Sequence, residues 1–260
     1  MSRKQQRSKA VSPHRGEVVK LTQALYLNGR AVQEGPKRKS WSRHDLRHIK
    51  PLTLAQEDFF RSFMDGQNIV AHGSAGTGKS FVGLYLALNE YFRMESQIEH
   101  IIIVRSAVPT RQLGYMPGDL NEKTALYETP YRDIIGDLFG KRSTYDDMKE
   151  AGVIQFMTTS FVRGLTWDNA IVLVDEAQDC NAHELNSIMT RLGENSRIIV
   201  CGDTKQNDLI HSKHDVSGLD VFMKAATKMS SVSLVQFTHS DIVRSQFVKD
   251  WIVAYEQVAQ

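Results

Sequence analysis

The chain has 260 residues, 41% of them hydrophobic, which is enough for one well-buried domain plus an extension and too few for two full domains of that size. No run approaches the roughly 18 uninterrupted apolar residues of a membrane span, and Met-Ser-Arg-Lys opens without a secretory apolar stretch, so a cytoplasmic protein with no membrane partner is expected. The net charge of +2 conceals an asymmetry: residues 1–50 hold 13 Lys and Arg against Glu17, Glu34 and Asp45, a net +10, which leaves −8 on the remainder.

Residues 1 to about 40 are rich in Lys, Arg, Ser and Gln and read as disordered or loosely docked, apart from Val18 to Leu27, which suits a short helix or strand. The expected division is a basic extension over 1–50 and an α/β domain over 51–260. From Thr53 onward, short apolar runs alternate with segments of helical period, the pattern of a mainly parallel sheet with helices on both faces. Strands are expected at Ile69 to His72, His100 to Val104, Val153 to Thr158, Ala170 to Val174, Arg197 to Cys201 and Ser233 to Phe237. Several are continuously apolar, as strands covered on both faces must be.

Phe81 to about Tyr91 is apolar nearly all round and predicts a central helix. The stretch from Ser106 to Tyr145, with Gly114, Pro117, Gly118 and Pro130, has weaker periodicity and reads as an insertion of loops and short helices. Three further helices each predict one buried stripe: Leu185, Ile188, Met189 and Leu192; Leu219, Phe222, Met223 and Ala226; Val248, Trp251, Ile252 and Tyr255. Cys180 and Cys201 are too few for a disulfide framework and too isolated for zinc, so reduced core thiols are expected.

Gly73-Ser74-Ala75-Gly76-Thr77-Gly78-Lys79-Ser80 matches G-x-x-x-x-G-K-[ST] between an apolar strand and a helix. The glycines let backbone N–H groups curl around phosphate oxygens, and the helix N-terminus adds partial positive charge. Lys79 is expected on the β- and γ-phosphates and Ser80 on Mg²⁺. Val172-Leu173-Val174-Asp175-Glu176 is a buried strand that delivers two acids at its C-terminal end, the edge where open α/β sheets bind ligands. In a Mg²⁺–nucleotide site Asp175 holds the metal through its water shell and Glu176 orients and deprotonates the attacking water; the bland alternative is that one of them caps the helix starting near Asn181.

Ile198 to Cys201 leads into Gly202-Asp203-Thr204-Lys205-Gln206, which reaches the same edge and makes Gln206 the candidate contact to the γ-phosphate or attacking water. Gly-Asp is also an ordinary turn signal. Thr53-x-x-Gln56 precedes the apolar positions Phe59, Phe60, Phe63 and Met64. It reads either as a capping box or as a carboxamide that recognises the adenine edge bidentately, and its place before the first strand favours adenine.

With these residues in place, the chain from about Lys50 to Val258 resembles the PhoH family of ATPases, relatives of superfamily 1 helicases. The resemblance rests on the phosphate loop at 73–80, Leu-Gly-Tyr-Met-Pro-Gly-Asp-Leu at 113–120, Val-Asp-Glu-Ala-Gln-Asp at 174–179, Gly-Asp-Thr-Lys-Gln-Asn-Asp-Leu at 202–209, Ser-Gly-Leu at 217–219 and Asp-Ile-Val-Arg at 241–244. Departures are Ser245, where the family usually has His, and Ile210, where it tends to have Pro; residues 1–50 lie outside the shared region. The resemblance implies ATP binding and hydrolysis on a RecA-like P-loop domain, action on RNA rather than DNA, with unwinding suspected, and ring-shaped homo-oligomers. It also implies that Arg105 and Arg244 lie near nucleotide or a neighbouring subunit. Some relatives carry a nuclease domain ahead of the ATPase, but the three scattered acids of residues 1–50 suggest none here.

A chain with residues for one RecA-like domain would take the second wall of its site from another subunit. Arg244 is then expected as an arginine finger donated in trans within a closed ring, a hexamer being the expected size; a salt bridge to Asp241 is the alternative. A GTPase is disfavoured by the lack of an Asn-Lys-x-Asp tetrad, and a small-molecule kinase by the lack of an Arg-rich lid. Two functions compete: an ATPase motor on single-stranded nucleic acid, and a nucleotide-gated binding or assembly protein with slow turnover and no unwinding.

Overall fold

The computed structural model describes residues 41–106, 120–203 and 217–258. The Val18 to Leu27 segment, residues 113–119 of the Gly-Tyr-Met-Pro-Gly motif, and Gln206 lie outside them.

In chain order the elements are α1 (Leu54–Met64), β1 (Asn68–Gly73), α2 (Lys79–Tyr91), β2 (His100–Arg105), α3 (Leu120–Phe139), α4 (Thr144–Glu150), β3 (Ile154–Thr158), β4 (Ala170–Asp175), α5 (Ala182–Met189), β5 (Arg197–Gly202), α6 (Leu219–Ala226), β6 (Val232–Phe237) and α7 (Gln246–Val258). The strands make one sheet in the order β3-β2-β4-β5-β1-β6, with every pairing parallel. All six expected strands are present. Because strand residues alternate sides, each strand feeds two cores. Ile69, Ala71, Ile101, Ile103, Ile171, Leu173, Ile199 and Cys201 face α1 to α4. Val70, Ile102, Val104, Val172, Val174, Ile198 and Val200 face Trp167, α5 and α6.

The central helix forms as its composition demands: Val82 through Leu88 are all buried in α2. Its approach to the sheet is close, since a Cβ on Gly83 would lie 3.2 Å from both Ile199 and Leu173. Ahead of α1, Leu46 is buried in the same core, Trp41 packs on it, and the Arg47 N–H donates to the Leu138 carbonyl at 2.8 Å.

Two expectations are corrected. The insertion beginning at Ser106 holds one 20-residue helix, α3, with Pro130 inside it. Its stripe of Tyr131, Ile135 and Leu138 is fully buried, and that burial outweighs the interior proline that suggested a break. Among the described residues the third predicted stripe is mostly open: α7 buries no residue, Trp251 and Tyr255 are 63% and 60% exposed, and Ile252 is half-buried beside Gly76. Periodicity reports an apolar face, not what lies against it.

A parallel sheet gathers the C-terminal ends of its strands at one edge, here Gly73, Arg105, Asp175, Gly202 and Phe237. β5 lies between β1 and β4, so the loop-bearing strand and the acid-bearing strand are separated by one strand, a RecA-like arrangement.

Candidate active site

β1 leaves the sheet at Gly73, whose φ is +114° and where a Cβ would lie 2.0 Å from the Phe237 carbonyl oxygen. Only glycine fits there. From Ser74 to Gly78 the loop is held from outside. Lys79 Nζ donates to the carbonyls of Gly73 (2.7 Å) and Ser74 (2.8 Å), Val243 N–H donates to Gly76 O (3.0 Å), and Gln56 Nε2 donates to Thr77 O (2.9 Å). Each N–H points opposite to the carbonyl of its own peptide, so these bonds turn the amides of Ser74, Ala75, Thr77 and Gly78 away from the donors. Thr77 Oγ1 closes the loop onto Ser74 O at 3.0 Å. Burial lowers the Lys79 pKa, opposed by the carboxylates of Asp203, Glu176 and Asp175 among others.

Gln56 is a brace in this structure. Its side chain is buried, Nε2 engages Thr77 O, and Oε1 accepts from Leu52 N–H at 2.9 Å. Thr53 Oγ1 accepts from Gln56 N–H at 3.3 Å, so the capping half of the Thr53–Gln56 reading is present, with Gln56 reaching back to Leu52 rather than to Thr53. Each end of the amide thus has one backbone partner.

From the N-terminal turn of α2, Ser80 Oγ donates to Asp175 Oδ1 at 2.6 Å. Asp175 is buried and its other oxygen accepts from Tyr131 Oη at 2.9 Å. Burial first, then the Asp175 charge, push the Tyr131 pKa well above the usual phenol range, so it remains a donor. The Ser80 hydroxyl and the Asp175 carboxylate are hard oxygen donors that fit Mg²⁺. Among the described residues no group of three or more His, Cys, Asp or Glu gathers to hold a metal alone. The pair therefore suits a cation that completes its shell with phosphate oxygens and water.

Glu176 follows with φ +51°, a left-handed conformation uncommon outside glycine and costly to hold. Its Oε2 accepts from Gln178 Nε2 at 2.6 Å, while Gln178 Oε1 accepts from Asp203 N–H at 2.9 Å, so one buried carboxamide links the ends of β4 and β5. Arg105, in register with Asp175, approaches Glu176 Oε1 at 3.9 Å and lies over the Tyr127 ring at 5.7 Å. Burial and the Asp175 charge raise the Glu176 pKa above 4.5, opposed by Gln178, Arg105 and Lys79. Neither acid caps α5; Asn181 and Glu184 do so reciprocally.

Arg244 extends over its own phosphate loop: a Cβ on Gly76 would sit 3.2 Å from its Cγ and 3.7 Å from its Nε. The Val243–Gly76 backbone bond holds this segment against the loop of the same chain, which sets a placement in cis beside the expected donation in trans. The Asp241 carboxylate is engaged elsewhere, by Thr238, Thr53 and Ala55. The structure thus brings together Lys79, Ser80, Asp175, Glu176, Arg105 and Arg244, with Gln56 behind the loop. Tyr131 and Gln178 were missed; Gln178 lay within a motif already recognised, whereas nothing in the sequence marked Tyr131.

A glycine loop between strand and helix, facing a buried acid one strand removed, defines a RecA-like P-loop protein. The chain belongs to the PhoH-like protein family, whose profile matches residues 48–256. A PhoH-like protein of Bacillus subtilis is 32% identical over 210 residues, covering 80% of this chain and 64% of that protein. Protein PhoH of Escherichia coli is 32% identical over 216 residues, covering 81% and 60%. The chain thus spans less than two thirds of the length of these relatives. Similar solved structures include the large terminase of a thermophilic bacteriophage (TM-score 0.45, 14% identity, 77% of this chain and 49% of that one). Pif1 helicase from Candida albicans is another (TM-score 0.37, 14% identity, 77% and 43%).

Proposed function

We propose that this chain binds and hydrolyses ATP with Mg²⁺ and couples the cycle to binding or unwinding single-stranded nucleic acid. The observation that carries the hydrolytic reading is the 2.6 Å pairing of Ser80 with buried Asp175, with Lys79 on one side and Glu176 on the other. Ser80 and Asp175 would hold Mg²⁺, which would supply positive charge against that developing on the β- and γ-phosphates. Lys79 exchanges its bonds to Gly73 O and Ser74 O for the same phosphates, and the loop amides beyond Ser74, whose own N–H donates to Phe237 O at 3.1 Å, cradle them. Glu176, held by Gln178 and flanked by Arg105, accepts the proton of the attacking water. Arg244 meets the transferring phosphoryl group in cis, and Gln206 is assigned to sense it.

The net +10 of residues 1–50 supports attraction to a phosphate backbone; RNA is placed ahead of DNA on family resemblance alone. A homo-oligomeric ring, with a hexamer as the expected size, is supported by the open apolar face of α7 beside Arg244. A cytoplasmic location accompanies this reading. Steady-state hydrolysis with and without single-stranded RNA and DNA tests it. Turnover is expected to rise with RNA and to fall by about 10³-fold or more in Lys79→Ala. Hydrolysis that Lys79→Ala leaves intact would remove the assignment, and slow turnover indifferent to both nucleic acids would favour the nucleotide-gated assembly protein.

A further inference from the structure

The acidic edge contains a hydroxyl that none of the sequence motifs includes. Tyr131 is fully buried on α3, its ring 5.9 Å from that of Phe156, and its Oη donates to Asp175 Oδ2 at 2.9 Å. The opposite oxygen, Oδ1, accepts from Ser80. Both oxygens of one buried carboxylate are therefore fixed by donors from different helices, and the plane of the carboxylate is determined. Ser80 can keep its bond to Asp175 while turning a lone pair to a cation; Tyr131 is too enclosed for any role but orientation. A phenol also donates without cancelling charge, whereas Lys or Arg in its place would compete with a cation for the same carboxylate.

α3 is itself anchored. Buried Glu128 accepts from Tyr145 Oη at 2.8 Å and from Lys149 Nζ at 2.7 Å, tying α3 to α4. Tyr127, four residues before Tyr131 and so on the same helix face, supports Arg105 beside Glu176. One rigid helix thus reaches the surroundings of both acids.

We propose that Tyr131 is a positioning residue for the metal, holding the Asp175 carboxylate in the orientation that presents it with Ser80 to Mg²⁺–nucleotide. The inference rests on the ATPase reading of this site. It is tested on the full chain by binding of a fluorescent ADP analogue, first in EDTA and then during titration with Mg²⁺. Tyr131→Phe is expected to leave affinity in EDTA within about twofold of wild type and to raise the Mg²⁺ concentration at half-effect by about tenfold or more, as loss of outer-shell partners does at other metal sites. Tyr145→Phe removes an equally buried hydroxyl that touches Glu128 and not Asp175, and should leave the midpoint in place. Tyr131→Met, also without a donor, supplies the same readout should the phenylalanine variant fail to fold. A midpoint within about twofold of wild type in any folded Tyr131 variant, or an equal shift in Tyr145→Phe, overturns the inference. Wild-type binding indifferent to Mg²⁺ overturns the metal site itself, and this role with it.

Discussion

At Arg244 one contact bears directly on the role of the residue. Its position just past the last strand suited a finger extended to a neighbour, yet its side chain lies on Gly76 of its own loop. In cis, Arg244→Ala should lower the single-turnover rate by about 10³-fold or more, because charge on the transferring phosphoryl group loses a fixed counter-charge. The direction of donation is read by mixing. Every subunit of a Lys79→Ala and Arg244→Ala mixture lacks one half of its own site, so mixed assemblies are expected to remain inactive. Recovery of turnover in demonstrably mixed assemblies would restore the trans reading. Gly73 is constrained by a similar proximity: the Phe237 carbonyl occupies the space of a side chain, which fixes both the residue and the point where the loop leaves β1.

Among the elements, the 3₁₀ turn His239–Asp241 joins the end of β6 to the start of α1 through one carboxylate. Asp241 accepts from Thr238 N–H (2.9 Å) and Thr238 Oγ1 (3.0 Å), and from Thr53 and Ala55 at the α1 N-terminus. Burial raises its pKa, but these hydrogen bonds outweigh it and hold the carboxyl below 3.8. A depressed folded pKa contributes stability that is present above the unfolded pKa and lost as pH falls through the folded one. Asp241→Asn should therefore cost about 1–3 kcal/mol near neutral pH in urea denaturation, with the difference shrinking under acid. A difference that stays constant from pH 7 down to acid denaturation would assign the loss to packing instead.

The same scale shows what the sequence disclosed. Six strands were legible because parallel strands covered on both faces are continuous apolar runs, and the phosphate loop and acid pair were legible because their chemistry fixes residue type and spacing. α3 was hidden by Pro130, a local breaker overruled by the burial of Tyr131, Ile135 and Leu138. Tyr131 as a site residue was invisible, since a phenol in an apolar stripe looks the same whether its hydroxyl meets a carboxylate or a carbonyl. Gln56 was seen, but its partners are backbone groups of Leu52 and Thr77 that no spacing rule specifies.

At the scale of the whole molecule, the positive charge and the candidate site occupy different parts of the chain: residues 1–50 carry +10 and the remainder −8. Deleting residues 1–40 should weaken RNA or DNA binding and flatten its salt dependence while leaving basal hydrolysis intact, because counterion release follows the number of phosphates neutralised. Unchanged affinity and salt slope would make the segment a solubilising tail. The central claim is that the loop after β1 and the acids after β4 form one hydrolytic site, with Glu176 acting on water rather than on nucleotide. Single-turnover hydrolysis of ATP by Glu176→Gln, measured beside its ATP affinity, tests this most directly. The account predicts near-wild-type ATP binding with hydrolysis slowed by about 10²-fold or more, the loss of a general base; hydrolysis at the wild-type rate by a variant that binds ATP normally would contradict it.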